Sequence, residues 1–231
     1  MVSNNIAQII HIPGGRVAAN PFDFYDTPRH FISAVLDILP SSFSPTKILD
    51  PGAGGGGWGY MARYKWPASH IEGIEIREDV VAPPTGIYDV WRTMDFRQYV
   101  PDSSFDLVVG NPPYSIVDGK RDNLLAEKFI RTGLEAVREN GLVFYLLKTV
   151  FLEGSGRGLG LFTEMPPNYM FQSISRIPFR PDLGNKTNAV AYCMMLWQKG
   201  NVASETKIRW FDWRLGGKLE YVRDYPALEL K

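Results

Sequence analysis

The chain of 231 residues carries 25 basic and 25 acidic side chains, a formal net charge of zero. That balance argues against bulk electrostatic capture of nucleic acid but not against a local basic patch. With 45% hydrophobic and 22% charged residues, it has room for one complete α/β domain and is too short for two large ones. The single cysteine, Cys193, lies in an apolar strand-like run. It excludes an intrachain disulfide and a cysteine-rich zinc site, and reads as a buried core thiol. There is no signal-peptide pattern and no apolar stretch long enough to span a bilayer, so a cytoplasmic protein with no membrane partner is expected.

Residues 1–23 mix Ile6, Ile9, Ile10 and Ile12 with Pro13, Gly14 and Gly15 without a period, and read as a cover segment. Tyr25, Asp26, Thr27 and Pro28 then precede Phe31, Val35, Leu36 and Leu39. This spacing predicts a helix with Thr27 as N-cap and Pro28 at its first position. Residues 47–50 read as a strand ending in a carboxylate, Asp50, followed by Pro51, Gly52, Ala53, Gly54 and three more glycines. Glycines let the backbone turn sharply and approach a ligand closely. No Gly-Lys-Ser/Thr follows, so this is not a Walker loop, and the flanking strand and helix-forming segment argue against a linker. Residues 71–76 form a second apolar run, with Glu75 before Ile76. Glu75 lies about 20 residues beyond Gly54, the separation at which a carboxylate reaches ribose hydroxyls in nucleotide-binding βαβ units. A third strand is predicted at 87–90, with Asp89 inside it and Asp95-Phe96 beyond it.

Phe105 to Gly110 reads as a buried strand, and Asn111-Pro112-Pro113-Tyr114 stands at its carboxyl end. Open α/β sheets place their chemistry there. The Asn111 carboxamide oxygen can accept one N–H of an exocyclic amine on a planar ring. The Pro112 carbonyl, stiffened by Pro113, can accept the other, and the Tyr114 ring can stack on the ring system. A proline-rich strand end that only turns the chain is an equal reading of the tetrapeptide alone. Further on, the spacing predicts a helix over 122–139 with a stop at Asn140-Gly141, a buried strand over 142–148, and a mobile glycine-rich loop over 154–160. A short helix is expected within 162–167, closing strands at 170–177 and 189–198, and a small hairpin beyond residue 207. Lys148, Arg157, Arg176, Arg180 and Lys186 are the candidate nucleic-acid contacts, although loop arginines are more often plain solvated charges.

In order and spacing, the segments at 25–28, 47–59, 95–96, 111–114 and 178–188 resemble motifs X, I, III, IV and VIII of amino-methyltransferases, with the Glu75 acid between the second and third of these. These are class I enzymes that use S-adenosylmethionine, and the small phage-type DNA N6-adenine methyltransferases are the most similar group. The resemblance implies a Rossmann-like class I methyltransferase α/β sheet, mostly parallel with an antiparallel final strand and helices on both faces. It spans a domain at 24–198, with 199–231 as a short C-terminal extension. It implies S-adenosylmethionine held by Tyr25, Thr27, Pro28, Asp50, Pro51, Gly52, Ala53, Gly54, Glu75, Ile76, Asp95, Phe96 and Asn111. The catalytic residues would be Asn111, Pro112, Pro113 and Tyr114, transferring methyl directly to adenine N6 of a base taken out of the DNA stack, without a metal. RNA adenine and protein glutamine remain open as substrates, as does a non-catalytic S-adenosylmethionine-binding protein. With so short an extension, the expected sequence preference is short or relaxed unless a homodimer or partner chain supplies recognition.

Overall fold

The strand Phe105–Gly110 is buried along its whole length, the mark of a central strand covered on both faces. The computed structural model describes residues 26–80, 82–117, 120–179 and 190–231. Tyr25, Arg180, Lys186 and the segment 1–23 lie outside the described residues. In chain order the elements are α1 (Arg29–Leu36), β1 (Lys47–Pro51), α2 (Gly57–Lys65), β2 (His70–Glu75), β3 (Val90–Thr93), β4 (Phe105–Gly110), β5 (Ile116–Val117) and β6 (Lys120–Arg121). There follow α3 (Leu125–Ala136), β7 (Val137–Lys148), α4 (Ser155–Leu159), α5 (Leu161–Glu164), β8 (Tyr169–Ser173), β9 (Tyr192–Gln198), β10 (Lys207–Leu215) and β11 (Lys218–Tyr221).

Nine strands form one sheet in the order β11-β10-β8-β9-β7-β4-β1-β2-β3. β3, β2, β1, β4 and β7 run parallel. β9 enters antiparallel between β7 and β8, the reversal expected near the end of the core. The faces follow from strand alternation. Phe31 of α1 packs its ring against Phe211 and Trp213 of β10. Gly133 of α3 lies against Val108, Val143 and the Tyr145 hydroxyl. Phe211 pairs with Ser173, which shares its face with Phe171, and pairing of Phe171 with Met194 and of Met194 with Leu146 sets Phe211 on the face opposite Tyr145, so helices cover both faces.

Several local expectations are corrected. Pro28, not Thr27, occupies the cap of α1; its extended backbone presents its carbonyl to the N–H groups of Phe31 and Ile32. The third helix stops at Ala136 rather than at Asn140-Gly141. Val137 already pairs with Phe105, and the register then jumps to Leu107 opposite Leu142. Asn140 at φ 63° turns the chain inside this bulge. Asp89 precedes β3 instead of lying in a strand, and its carboxylate accepts from the Ile71 N–H and from Arg63. The 154–160 segment is not an open loop: it contains α4, braced by Arg157 donating to the Phe151 and Glu153 carbonyls. The hairpin beyond residue 207 is present as β10–β11, but it is built into the main sheet through parallel pairing of β10 with β8.

Candidate active site

At the carboxyl ends of β1, β2 and β4, the loops separate and leave a cleft open to solvent, the place where open α/β sheets bind ligands. Thr27, Gly52, Ala53, Gly54, Glu75, Ile76, Asp95, Phe96, Asn111 and Pro113 all line it. Ten positions from five separate segments are thus brought to one place by the parallel strands. The glycine loop is held from beneath: the Gly52 and Ala53 N–H groups donate to the Ile74 carbonyl, and the Gly54 N–H donates to Glu75 Oε2 at 2.7 Å. Gly56 caps α2 at φ 79°, a left-handed conformation that favours glycine. Glu75 is 4% exposed, and its other oxygen accepts from the backbone and side-chain nitrogens of Arg77 at 3.0 Å.

Asp95 sits across the cleft with both carboxylate oxygens clamped by Arg97. Partial burial pushes its pKa up, but the Arg97 hydrogen bonds and charge outweigh that and hold it below the usual carboxylate range. Phe96 lies beside Phe129 of α3, with ring centroids 5.0 Å apart, which gives the cleft an apolar floor. The lining residues missed in the sequence include Asp26, Trp58, Arg77, Arg97 and Phe129. Only position could have flagged them. Asp26 lies within the Tyr25–Pro28 segment, Trp58 follows the glycine run, and Arg77 and Arg97 each stand two residues beyond a site carboxylate.

Asp50 does not line the cleft. It is fully buried under the loop, where Oδ2 accepts from the Tyr88 hydroxyl at 2.6 Å and from the Gly59 N–H at 3.2 Å. Burial drives its pKa up to about 7; the Tyr88 and Gly59 hydrogen bonds oppose this, and the charge of Glu75 adds to it. The Tyr88 hydroxyl is itself raised well above its ordinary range by burial and by Asp50. A Cβ at residue 59 would fall 2.1 Å from the Tyr88 ring, so glycine there is what admits the tyrosine. The expected cofactor acceptor is therefore a strut between β1, α2 and the β2–β3 connection. Pro51 closes β1 and Pro112 is buried beside the cleft. Pro28 lines an adjoining cavity with Arg29, Pro178 and Phe179.

Asn111 donates from Nδ2 to Thr27 Oγ1 at 3.3 Å, joining the start of α1 to the end of β4. Tyr114 is buried rather than presented to the cleft, with its hydroxyl 2.5 Å from Asn111 Oδ1. Lys148, expected to contact nucleic acid, stands with Nζ 4.3 Å from the centroid of the Tyr114 ring. Arg157 donates to two backbone carbonyls of the protein, those of Phe151 and Glu153. Arg176 is exposed just beyond β8. Among the described residues, no helix is long and apolar enough to cross a membrane.

The sheet order and the cleft at its carboxyl edge are those of a Rossmann-like α/β fold of the kind found in class I methyltransferases. The solved structures bear this out. A protein of Listeria monocytogenes titled as a class I methyltransferase of this kind superposes with a TM-score of 0.60 at 12% identity, covering 80% of this chain and 65% of the other. The M protein of the type I restriction enzyme EcoKI superposes with a TM-score of 0.60 at 14% identity, covering 81% and 48%. In sequence, the chain is 34% identical over 89 residues to the type II methyltransferase M.CvrRI of Paramecium bursaria Chlorella virus XZ-6E, covering 38% of this chain. A 51-residue stretch, 22% of this chain, is 35% identical to Elongator complex protein 3 of Dictyostelium discoideum. The chain spans only 23% and 9% of the lengths of these two relatives. No family model matches the chain.

Proposed function

We propose that this chain transfers a methyl group from S-adenosylmethionine to the N6 amino group of adenine in DNA. The observation that carries the reading is Asn111-Pro112-Pro113-Tyr114 at the carboxyl end of β4, with Asn111 and Pro113 lining the same cleft as Gly52–Gly54 and Glu75. Similarity to a type II methyltransferase and to the M protein of a restriction enzyme favours DNA over RNA or protein.

The residues present suit the cofactor. The close backbone of Gly52, Ala53 and Gly54 leaves a cradle without side chains, and the buried Trp58 indole N–H at its wall has no hydrogen-bond partner among the described residues. Glu75 would accept from the ribose hydroxyls, Asp95 from the adenine amine, and Phe96 would pack on the adenine ring. Thr27 stands where the methionine end would lie. Bound S-adenosylmethionine would supply an electrophilic methyl group. The chain's own part is orientation. Adenine N6 is a weak nucleophile because its lone pair is delocalised into the ring. Hydrogen bonds from N6–H to Asn111 Oδ1 and to the Pro112 carbonyl would draw the nitrogen toward tetrahedral geometry and direct its lone pair at the methyl carbon. Extruding the base costs a few kcal/mol in a duplex, less in a single strand.

The test is parallel incubation of the purified chain with labelled S-adenosylmethionine and DNA, RNA or protein. Label in the adenine of DNA supports the reading; label only in RNA or in glutamine would redirect it.

A further inference from the structure

The cleft read above as the cofactor site continues into a second groove that the cofactor's own chemistry does not explain. Ile76, Asp95 and Arg97 line both. The far wall of the second groove is Lys120 and Arg121 of β6 with Asp122 and Asn123 just beyond them. Among the described residues, β5 and β6 pair with each other and with no strand of the main sheet. Ile116, two residues beyond Tyr114, is the partner of Arg121 across this hairpin. The Arg121 Cα therefore lies within about 13 Å of the Tyr114 Cα.

The hairpin is fixed at its base. The Asp122 N–H donates to the Ser115 carbonyl at 2.8 Å. The Asp122 carboxylate accepts from the Leu124 N–H at 3.0 Å and from Lys128 of α3 at 2.8 Å. Arg97, which clamps Asp95, reaches the same carboxylate at 3.5 Å. The two acids of the groove are thus already met by Arg97 and Lys128. Lys120 and Arg121 are exposed, and neither has an ion-pair partner among the described residues. Arg121 donates from Nε to Asn123 Oδ1 at 2.8 Å, which steadies the guanidinium and leaves its terminal NH2 groups for another acceptor.

These two charges face no anion of the cofactor. S-adenosylmethionine carries one anionic group, the carboxylate of its methionine end. The reading above sets that end at Thr27 and the adenine at Asp95, so the groove adjoins the uncharged end. A nucleic-acid strand, by contrast, brings a phosphate with every nucleotide beside the target base. Phosphate contacts hold a strand in place without reading its sequence, and a chain of zero net charge needs a local pair of cations to make them. We infer that Lys120 and Arg121 on the β5–β6 hairpin bind the phosphodiester backbone flanking the target adenine. The inference rests on the DNA reading above.

The experiment measures binding of a fluorescently labelled, adenine-containing DNA duplex to the full chain by anisotropy, with S-adenosylmethionine present, from about 50 to 200 mM salt. Lys120→Ala/Arg121→Ala should lower the slope of log affinity against log salt by about 2. At the low-salt end it should weaken binding by about 10-fold or more. Calorimetric titration should give S-adenosylmethionine affinity within about twofold of wild type. Lys120→Arg/Arg121→Lys, which keeps both charges, should keep the slope, as should Lys218→Ala on β11 at the edge of the sheet. A double-alanine variant with the wild-type slope, or one that loses cofactor affinity along with DNA, would overturn the inference and leave the DNA reading in place. A wild-type chain that binds S-adenosylmethionine but no DNA at the lowest salt would overturn both.

Discussion

Replacing Asp50 by asparagine should flatten the pH dependence of stability. The carboxyl is fully buried, and its pKa stands at about 7 against an ordinary 3.8. Linkage sets the sign. A carboxyl whose pKa is raised by folding favours the folded state fully below about pH 4, and that contribution is lost as pH climbs through the folded-state value near 7. Roughly 3 units at ~1.4 kcal/mol each set a ceiling of about 4 kcal/mol across that window. Between pH 5 and 7 the wild type should lose roughly 2 kcal/mol from this group. Asparagine resembles the protonated carboxyl in shape: its oxygen can accept from Tyr88 and Gly59, and its NH2 stands where the proton would be. The assay is urea unfolding at pH 5, 6, 7 and 8, followed by tryptophan fluorescence. Asp50→Asn should gain on the wild type at each step up to pH 7, with little further gain by pH 8. A gap between the two proteins that stays constant across the series would refute the reasoning. Asp50→Ala, by contrast, removes the acceptor for two buried donors, so it should cost about 1–3 kcal/mol per orphaned group rather than spare folding.

Gly59→Ala should destabilise by about 1–3 kcal/mol or more, because its Cβ would collide with the Tyr88 ring; the shift in unfolding midpoint reads this directly, and an unchanged midpoint would contradict the packing. Glu75→Gln weakens the charge-assisted acceptor that holds Gly54 and Arg77 and would receive the ribose. Calorimetric titration should therefore give S-adenosylmethionine affinity lower by roughly 1.5–3 kcal/mol, and wild-type affinity would remove Glu75 from the site. Asn111→Ala should keep cofactor affinity within about twofold while losing most turnover, by about 100-fold if orientation dominates; equal turnover would dismiss Asn111 as the amine acceptor.

Contiguous features were legible in the sequence. The β1–glycine loop–α2 unit, the carboxylate closing β2 and the tetrapeptide after β4 are each written in adjacent residues, and parallel strands bring their carboxyl ends together without further instruction. What escaped depends on partners distant in the chain. Asp50 looks like a ligand acceptor until Tyr88, 38 residues away, is found on its oxygen. Nothing beside Tyr114 in the sequence shows that its hydroxyl meets the Leu146 carbonyl of β7, 32 residues away. β10 alternates Arg209, Phe211 and Trp213 inward with Ile208 and Trp210 outward, which reads as a local hairpin. Only its pairing with β8 makes it part of the main sheet. The bulge at 137–141 was hidden because Asn140-Gly141 is an ordinary helix stop, and tertiary pairing of Val137 with Phe105 overrode it.

The central claim is that the cleft directs a methyl group to adenine N6, and nucleoside mass spectrometry of DNA treated with the purified chain tests it most directly. DNA incubated with S-adenosylmethionine and the wild type should yield N6-methyladenine, and the same DNA with Asn111→Ala should yield little. Unmodified adenine with the wild type under conditions where calorimetry registers bound cofactor, or equal N6-methyladenine from the two proteins, would contradict the account.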